Sequence, residues 1–406
     1  MEPTWHWPIS HVQHPSATAG KLTAVGGAGD FDAAGAIRNP GDLIAQIEGA
    51  LGNVASALAA EGCRLTDVVR FKAFYTGECD DWEVIAALAR AVPEDPMPAI
   101  STVPTPFQPF EGQLIQLQAI AQKGWRGFDG VRAAPRPVPE AKRDLFGGRT
   151  VTGGLRAGEF WAVSNRTAAD ENDVVAAPGN AVAQSHVVQK THEETLAQLG
   201  CSLQDSVKME GYYFGETTGE WAEIAKARCA RIREPGPCGT VVPCHRLHPE
   251  GAATKIEHLG FRESWNGFDK YIPRADSWPK RIWDWPIPLP YRQGQKLRDT
   301  IWTGGQVPWE PDSNSGGWMY PGDLHAQTRF VLSYVADILR GFDRGFADLK
   351  LLTCYFASSG TVAESHAFLD TVAGMLGGAL PPITLVPQPY MHDPGTTVEI
   401  WGIAQA

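Results

Sequence analysis

The chain has 406 residues, of which 43% are apolar and 20% are charged, a composition typical of a soluble globular protein with two or three domains. Lys and Arg number 35 against 46 Asp and Glu, and a net charge of -11 without a dense basic run disfavours a nucleic-acid partner. The sequence has no signal-peptide pattern and no long apolar stretch, so we expect a cytoplasmic protein with no membrane partner. The scattered cysteines, odd in number, favour reduced thiols over a disulfide framework.

One frame of residues occurs three times along the chain. It begins with Pro, Gly and Asp or Asn and ends with an Ala-Gln pair, and the three occurrences are Pro40 to Gln46, Pro178 to Gln184 and Pro321 to Gln327. Each Gln precedes an aspartate at the same spacing, and these aspartates are Asp67, Asp205 and Asp348. Agreement in residue type and in spacing predicts three tandem copies of one unit of roughly a hundred residues.

Each copy is predicted to contain a strand, a hairpin, a strand, a long helix, a strand, a second helix and two final strands. In copy one, Ile47, Leu51, Val54 and Leu58 recur at helical spacing after the Pro-Gly pair. The strands expected after the first helices cover 68–75, 207–214 and 349–356. We expect the second helix to begin near Trp82 in copy one and near Trp221 in copy two.

These elements divide the chain into domains and linkers. The expected domains are residues 1–125, 156–262 and 297–406, and the expected linkers are 126–155 and 263–296. The linkers are rich in Pro, Arg and Trp. Their tryptophans, including Trp283 and Trp285, are expected to pack as connectors rather than to stack on a ligand.

Several motifs resemble those of a known family. Gly304 to Pro308 is similar to an S-G-Q-I-P turn, Asp67 to Arg70 to D-V-V-K, and Pro98 to Val103 to P-A-R-S-x-V. The last strands are similar to V-E-I-E-A-I-A. On these residues the chain resembles the RidA/YjgF/YER057c/UK114 (L-PSP) family of small-molecule enamine and imine deaminases, in three tandem copies.

The resemblance implies an α+β fold. Three RidA-like (chorismate-mutase-like) βαβ units would form a single-chain pseudo-trimer around a central β barrel with helices outside. A small-molecule substrate would bind in clefts between units, without a cofactor and without a metal. Such a chain is a self-contained assembly, monomeric or dimeric as a whole, because fusion raises the effective concentration of neighbouring units.

The arginine of P-A-R-S, which grips the carboxylate of a 2-imino acid in the family, is missing from all three copies. Ile100, Gly239 and Ile383 stand at its position. Since these residues lack the two-pronged donor that a guanidinium supplies, simple 2-imino acids are disfavoured as substrates. The three positions remain candidate substrate-binding residues.

Copy two keeps the most of the family pattern. Glu257 stands at the second Glu of V-E-I-E, to which the resemblance assigns water activation, and Ser164 stands at the Ser of S-G-Q. Arg166 replaces the Gln of that turn and is a candidate carboxylate anchor, or alternatively an exposed cation near a hairpin. Tyr213 lies on a strand that the family uses near the cleft, and it is a candidate substrate contact.

Reactive side chains are dense near Glu257. They are Cys238, Cys244, His245, His248 and His258. We expect Glu257, Ser164, Cys238 and His245 to be catalytic, with an acid-base role for Glu257 in imine hydrolysis or, alternatively, a structural ion pair. A Cys244–His245 nucleophile is disfavoured because adjacent strand residues point apart, and a zinc site would have an unusual ligand spacing.

The sequence therefore predicts a hydrolase or deaminase that acts on the C–N bond of an enamine or imine other than a simple 2-imino acid. Two alternatives stay open: a non-catalytic pseudo-trimer that binds a small molecule, and another hydrolytic or tautomerising reaction on the same scaffold. An RNA-cleaving role is disfavoured by the acidic charge and the absence of a basic stripe.

Overall fold

The computed structural model describes residues 5–215, 221–263, 283, 285, 287–311 and 317–406. The strands in these ranges are, in chain order, β1 Val12–Gln13, β2 Ser16–Ala19, β3 Leu22–Ala28, β4 Val68–Tyr75, β5 Ala99–Pro104, β6 Ile115–Ala121, β7 Arg132–Pro135, β8 Thr152–Ala157, β9 Phe160–Val163, β10 Ser206–Phe214, β11 Cys238–Cys244, β12 Thr254–Phe261, β13 Gly294–Leu297, β14 Thr300–Thr303, β15 Leu349–Ala357, β16 Ala379–Leu380, β17 Ile383–Gln388 and β18 Val398–Gln405. The α-helices are α1 Leu43–Ala60, α2 Asp81–Arg90, α3 Ala181–Leu199, α4 Trp221–Cys229, α5 Leu324–Arg340 and α6 Val362–Leu376. The predicted α+β class is confirmed.

Three sheets share one order of five strands, and sheet II has one further strand, β7, at its edge. Sheet I is β2-β3-β6-β4-β5, sheet II is β7-β8-β9-β12-β10-β11, and sheet III is β13-β14-β18-β15-β17. In each sheet the pairing is antiparallel except for the last pair, β4 with β5, β10 with β11 and β15 with β17, which is parallel. A parallel pair needs a crossover connection, and α2, α4 and α6 supply it. The long helices α1, α3 and α5 pack on the sheets.

The Pro-Gly-Asp frame has the same structural role at each occurrence. Gly41, Gly179 and Gly322 have positive φ, at 82°, 76° and 78°, a conformation that glycine adopts without strain. The next residue caps the long helix, because its side chain accepts a hydrogen bond from the backbone N–H three residues later. These caps are Asp42, Asn180 and Asp323. The repeated motif therefore starts a helix.

The repeated Gln bonds the start of each long helix to the loop that precedes the last strand of its sheet. Gln46 donates to the carbonyls of Asn39 and Gly112, at 3.0 and 2.8 Å, and accepts from Leu114 N–H. Its counterparts Gln184 and Gln327 make the same three kinds of bond. All three are fully buried, so these bonds satisfy groups that water cannot reach.

The predicted linkers contain regular structure. Within 126–155, β7 pairs with β8 at the edge of sheet II, and a 3₁₀ helix follows at Glu140–Phe146. Most of 263–296 lies outside the described residues, but its end forms β13 of sheet III. One described helix, α1, could span a membrane by length and composition alone, and half of it is buried inside the protein.

The sheets meet at three junctions of similar construction. At the junction of sheets I and II, the Asn165 amide accepts from Thr102 N–H and donates to Thr102 C=O. At the junction of sheets III and I, the Gln116 amide does the same with Leu385. At the junction of sheets II and III, Gly305 N–H donates to Gly239 C=O at 2.7 Å.

The described strands do not form the expected central barrel with continuous hydrogen bonding from strand to strand. The described strands make separate sheets, because side-chain amides rather than a neighbouring strand satisfy the edge groups of β5 and β17. Each edge thereby gains hydrogen bonds without continuous pairing.

A cluster of four buried charges lies between sheets I and II. Arg70 bonds Glu257 at 2.7 Å and Glu210 at 3.2 Å. Lys72 forms ion pairs with Glu210 at 2.8 Å and with Glu257 at 2.7 Å, and neither contact has the geometry of a hydrogen bond. Ser101 also donates to Glu257. Burial alone would raise the pKa of Glu257, but Arg70 and Lys72 lower it to about 2.

Glu257→Gln should lower the free energy of unfolding by about 3 kcal/mol at pH 7, because it leaves two buried cations with one carboxylate. The folded pKa of Glu257 is about 2, below the ordinary value of 4.5, so its contribution is present above pH 4.5 and is lost as pH falls towards 2. Denaturant titrations over this range should show the two proteins converging. The control Glu194→Gln, at an exposed helix pair, should change stability by less than about 1 kcal/mol.

Candidate functional site

The junction of sheets II and III contains a cavity of about 390 Å³, here called cavity II–III. Glu399 reaches it from β18, where it lies two residues before Trp401 and therefore on the same strand face. Trp401 is fully buried in the interior, whereas Glu399 lines the cavity. Strand alternation thus directs one carboxylate into the junction.

A chain of three polar side chains lines this part of the molecule. Glu399 Oε2 lies 2.6 Å from His392 Nε2, and His392 Nδ1 lies 3.2 Å from the Tyr213 hydroxyl. A carboxylate can only accept, so His392 carries its proton on Nε2. In the neutral ring Nδ1 is then the acceptor, and Tyr213 donates to it. The Glu399 Oε1 atom has no hydrogen bond within the described part of the chain.

Aromatic rings form the walls of cavity II–III. Trp283 and Trp285 lie with ring centroids 4.8 Å apart, and Trp309 and Trp318 lie 4.6 Å apart. Tyr291 packs against Trp285 at 5.7 Å. All five residues line the cavity, so the linker tryptophans expected to act as connectors also face a ligand-sized space. Such a surface suits an apolar or aromatic molecule.

Two glycines make room in this junction. A Cβ at Gly239 would lie 3.2 Å from the Tyr291 ring, so the ring would have to shift to admit a side chain at this position. A Cβ at Gly305 would lie 1.7 Å from Glu399 Oε1 and 2.8 Å from Thr240 Oγ1, so this glycine lets the carboxylate approach the turn.

The side chains predicted to be catalytic are not gathered in one cavity. Glu257 is held in the buried charge cluster. Ser164 accepts from Ile100 N–H and donates to Thr152 C=O, so its hydroxyl is engaged at the junction of sheets I and II. Cys238 is fully buried, and its thiol donates to Trp302 C=O.

His245 and Cys244 have environments unlike those of a nucleophile and its base. Burial raises the pKa of Cys244 to about 11, and its thiol donates to backbone carbonyls. Burial, with Arg246 and His248 nearby, lowers the pKa of His245 to about 4. Among the described residues no group of three His, Cys, Asp or Glu side chains is arranged to hold a metal ion, so the alternative zinc set has no support.

The predicted substrate-binding residues lie at different junctions. Gly239 lines cavity II–III. Tyr213 is linked to this cavity by its hydrogen bond to His392, which lines it. Ile100 and Ile383 are buried in the hydrophobic core, 2% and 0% exposed. Arg166 lines another cavity, between sheets I and II.

Sequence reasoning missed Glu399 and His392. Glu399 occupies the first Glu of the V-E-I-E-like strand, whereas the motif favoured the second, at which only copy two has Glu. The available signal was strand alternation, which places both positions on one face. His392 lies in the loop that connects β17 to β18, and the sequence alone gives no sign that it folds back onto Glu399.

Comparisons with known proteins give similarities of structure. No protein-family model matches the sequence, and no curated protein matches it. A chorismatase crystal structure is 14% identical, covers 84% of this chain and 93% of its own, and has a TM-score of 0.46. YjgF from E. coli is 23% identical over 32% of this chain and 95% of its own, with a TM-score of 0.26. A Thermotoga maritima structure described as a putative endoribonuclease is 21% identical over 34% of this chain and 98% of its own, with a TM-score of 0.27. At these values no activity follows.

Gly305→Ala should separate Glu399 from His392, because the added methyl group would overlap the carboxylate oxygen. We expect a loss of about 1–3 kcal/mol in the free energy of unfolding from overpacking. A crystal structure of the variant should show the Glu399–His392 contact lengthened beyond hydrogen-bond distance.

Gly374→Ala is the matched control, since Gly374 lies in α6 with no atom within 4 Å of an added Cβ. This variant should be equally stable or slightly more stable, because alanine favours a helix. An unchanged Glu399–His392 distance in Gly305→Ala would contradict the steric argument.

Proposed function

We propose that the chain is a hydrolase that breaks the C–N bond of an enamine or imine in cavity II–III. The observation that carries the proposal is the Glu399–His392 pair, 2.6 Å apart, at a junction walled by tryptophans. A carboxylate fixed by an imidazole can take a proton from water and return it to a leaving amine. The reaction needs no further group.

The proton transfers in this proposal balance without an added reactant. Glu399 Oε1 accepts a proton from water as the water oxygen bonds to the imine carbon, and the nitrogen receives that proton. Glu399 Oε1 then takes the hydroxyl proton of the resulting aminoalcohol, and the nitrogen receives that proton as the C–N bond breaks, which leaves a carbonyl compound and an amine. His392 donates a hydrogen bond to Glu399 Oε2, and the hydrogen bond from Tyr213 fixes the His392 tautomer.

The walls of the cavity favour a substrate with an apolar or aromatic body. Tyr291 occupies the space beside Gly239, where the related family has its carboxylate-binding arginine. A simple 2-imino acid would then lack its partner at this position. Burial of an aromatic group against Trp285 and Tyr291 instead supplies the binding energy.

We further infer that the three sheets are tandem RidA-like units that close into a pseudo-trimer. The common strand order and the three similar junctions support this arrangement. A covalent ring lets one junction specialise while the other two stay structural. In this proposal the chain acts on a small molecule in the cytoplasm, without a cofactor, a metal, a membrane or nucleic acid.

Turnover should depend on Glu399. With the imine of acetophenone as substrate, Glu399→Gln should lower kcat by about 10²- to 10⁴-fold, because an amide cannot accept the proton. Ammonia release measures the rate. His392→Gln should lower it in the same direction, and Glu48→Gln, at an exposed position on α1, should leave it unchanged.

Two results would overturn the proposal. One is binding of the imine without ammonia release above the spontaneous rate, which would favour the non-catalytic alternative. The other is normal turnover in Glu399→Gln together with loss in a folded Glu257→Gln protein, which would return the acid-base role to Glu257. Faster turnover of 2-iminopropanoate than of the aromatic imine would contradict the proposed substrate class.

A further inference from the structure

A second cavity, of about 630 Å³, lies between sheets I and II, and is here called cavity I–II. Arg136 and Arg166 face it, together with the start of α2 and the outer side of α3. Arg136 comes from the segment after β7 and Arg166 from the turn after β9. The two cations therefore converge from separate parts of the chain.

Arg166 has no partner for its guanidinium. Within the described ranges, no hydrogen bond or ion pair involves its side chain, and its Nε is out of contact with water. Its backbone is fixed by two bonds to Ile256, each 2.9 Å long, so the side chain is held at the cavity. Burial and the neighbouring Arg136 lower its pKa to about 9, which leaves it charged at neutral pH.

Arg136 makes no ion pair within 4 Å in the described structure, and burial lowers its pKa although Asp81 and Asp173 counteract this. Its guanidinium lies 4.4 Å from the centre of the Trp82 ring and 3.4 Å from the Asn165 carbonyl. The two partly buried cations also repel each other, which is costly in a site of low polarity. An anion between them would offset that cost.

The acids that line cavity I–II are otherwise engaged or lie at its rim. Asp81 bonds Lys255 at 2.6 Å, Asp80 bonds Lys142 at 2.5 Å, and Asp173 accepts from the Trp82 indole. Exposed acids surround the opening, namely Asp170, Glu171, Glu194 and Glu250. This rim disfavours anions of high charge, such as nucleotides, and tolerates a single carboxylate.

We propose that cavity I–II is a binding site for a small-molecule carboxylate, held by Arg166 and Arg136. A carboxylate can accept two parallel hydrogen bonds from one guanidinium. An organic acid that is small enough for this cavity and carries no phosphate can bind in this way. The site is separate from cavity II–III, and its occupation does not require the reaction proposed there.

Calorimetric titration of the full chain with acetate, benzoate and succinate tests the proposal. At least one should bind the wild type, and Arg166→Met should weaken that binding by about tenfold or more through loss of a charged hydrogen bond. Arg136→Met should weaken it as well. Arg90→Met, at an exposed position at the end of α2, is the matched control and should bind as the wild type does.

The melting temperature of the variants provides a second measurement. Because Arg166 has no counter-charge, Arg166→Met should melt at the same temperature as the wild type or higher. Glu399→Gln should keep carboxylate binding, which separates failure here from failure of the proposed reaction. No binding by any of the three acids, equal binding to Arg166→Met, or tighter binding of inorganic phosphate would overturn the assignment.

Discussion

The buried charge cluster is the constraint on which the arrangement of the sheets depends. Arg70 and Lys72 come from β4 of sheet I, whereas Glu210 and Glu257 come from sheet II, and all four are excluded from water. Each charge would be very unfavourable alone, so the two sheets must meet in the register that pairs them. Tyr355 of sheet III donates to Glu210, which ties the third sheet to the same cluster. The cluster explains why Glu257 is poorly placed for chemistry.

One strand position shows how the three junctions differ. Gln116, Lys255 and Glu399 pair with Phe74, Tyr212 and Tyr355 in their own sheets, and so occupy equivalent places. At the junction of sheets III and I, Gln116 bonds the backbone of Leu385. At the junction of sheets I and II, Lys255 bonds Asp81 and Thr102.

At the junction of sheets II and III, the equivalent Glu399 bonds only His392 within the described residues, and one oxygen stays open. The same backbone therefore presents an amide, an ammonium group and a carboxylate. Three identical subunits could not differ in this way. A single chain allows each junction its own side chain, and among the described residues the open carboxylate oxygen at this position lies at cavity II–III.

The sequence by itself determined the repeated frame, the long helices and the strands that follow them, but not the strand and 3₁₀ helix within the predicted linker 126–155. The spacing of residues and the turn-forming Pro-Gly pairs identify Gln46, Gln184 and Gln327 as equivalent positions. The structure gives these three residues one common role. The long helices and the strands after them follow from periodicity in the same way. These features depend on neighbours in sequence.

Only the tertiary structure decided which polar residues meet. The sequence left open whether Glu257 has an acid-base role or forms an ion pair, and only the fold places Arg70 beside it. In the same way, only the fold brings His392 onto Glu399. Arg136 and Arg166 likewise face one cavity only because part of a predicted linker forms β7 of sheet II. The physical reason is that the free energy of a buried charge depends on partners brought close by folding, which sequence spacing does not specify.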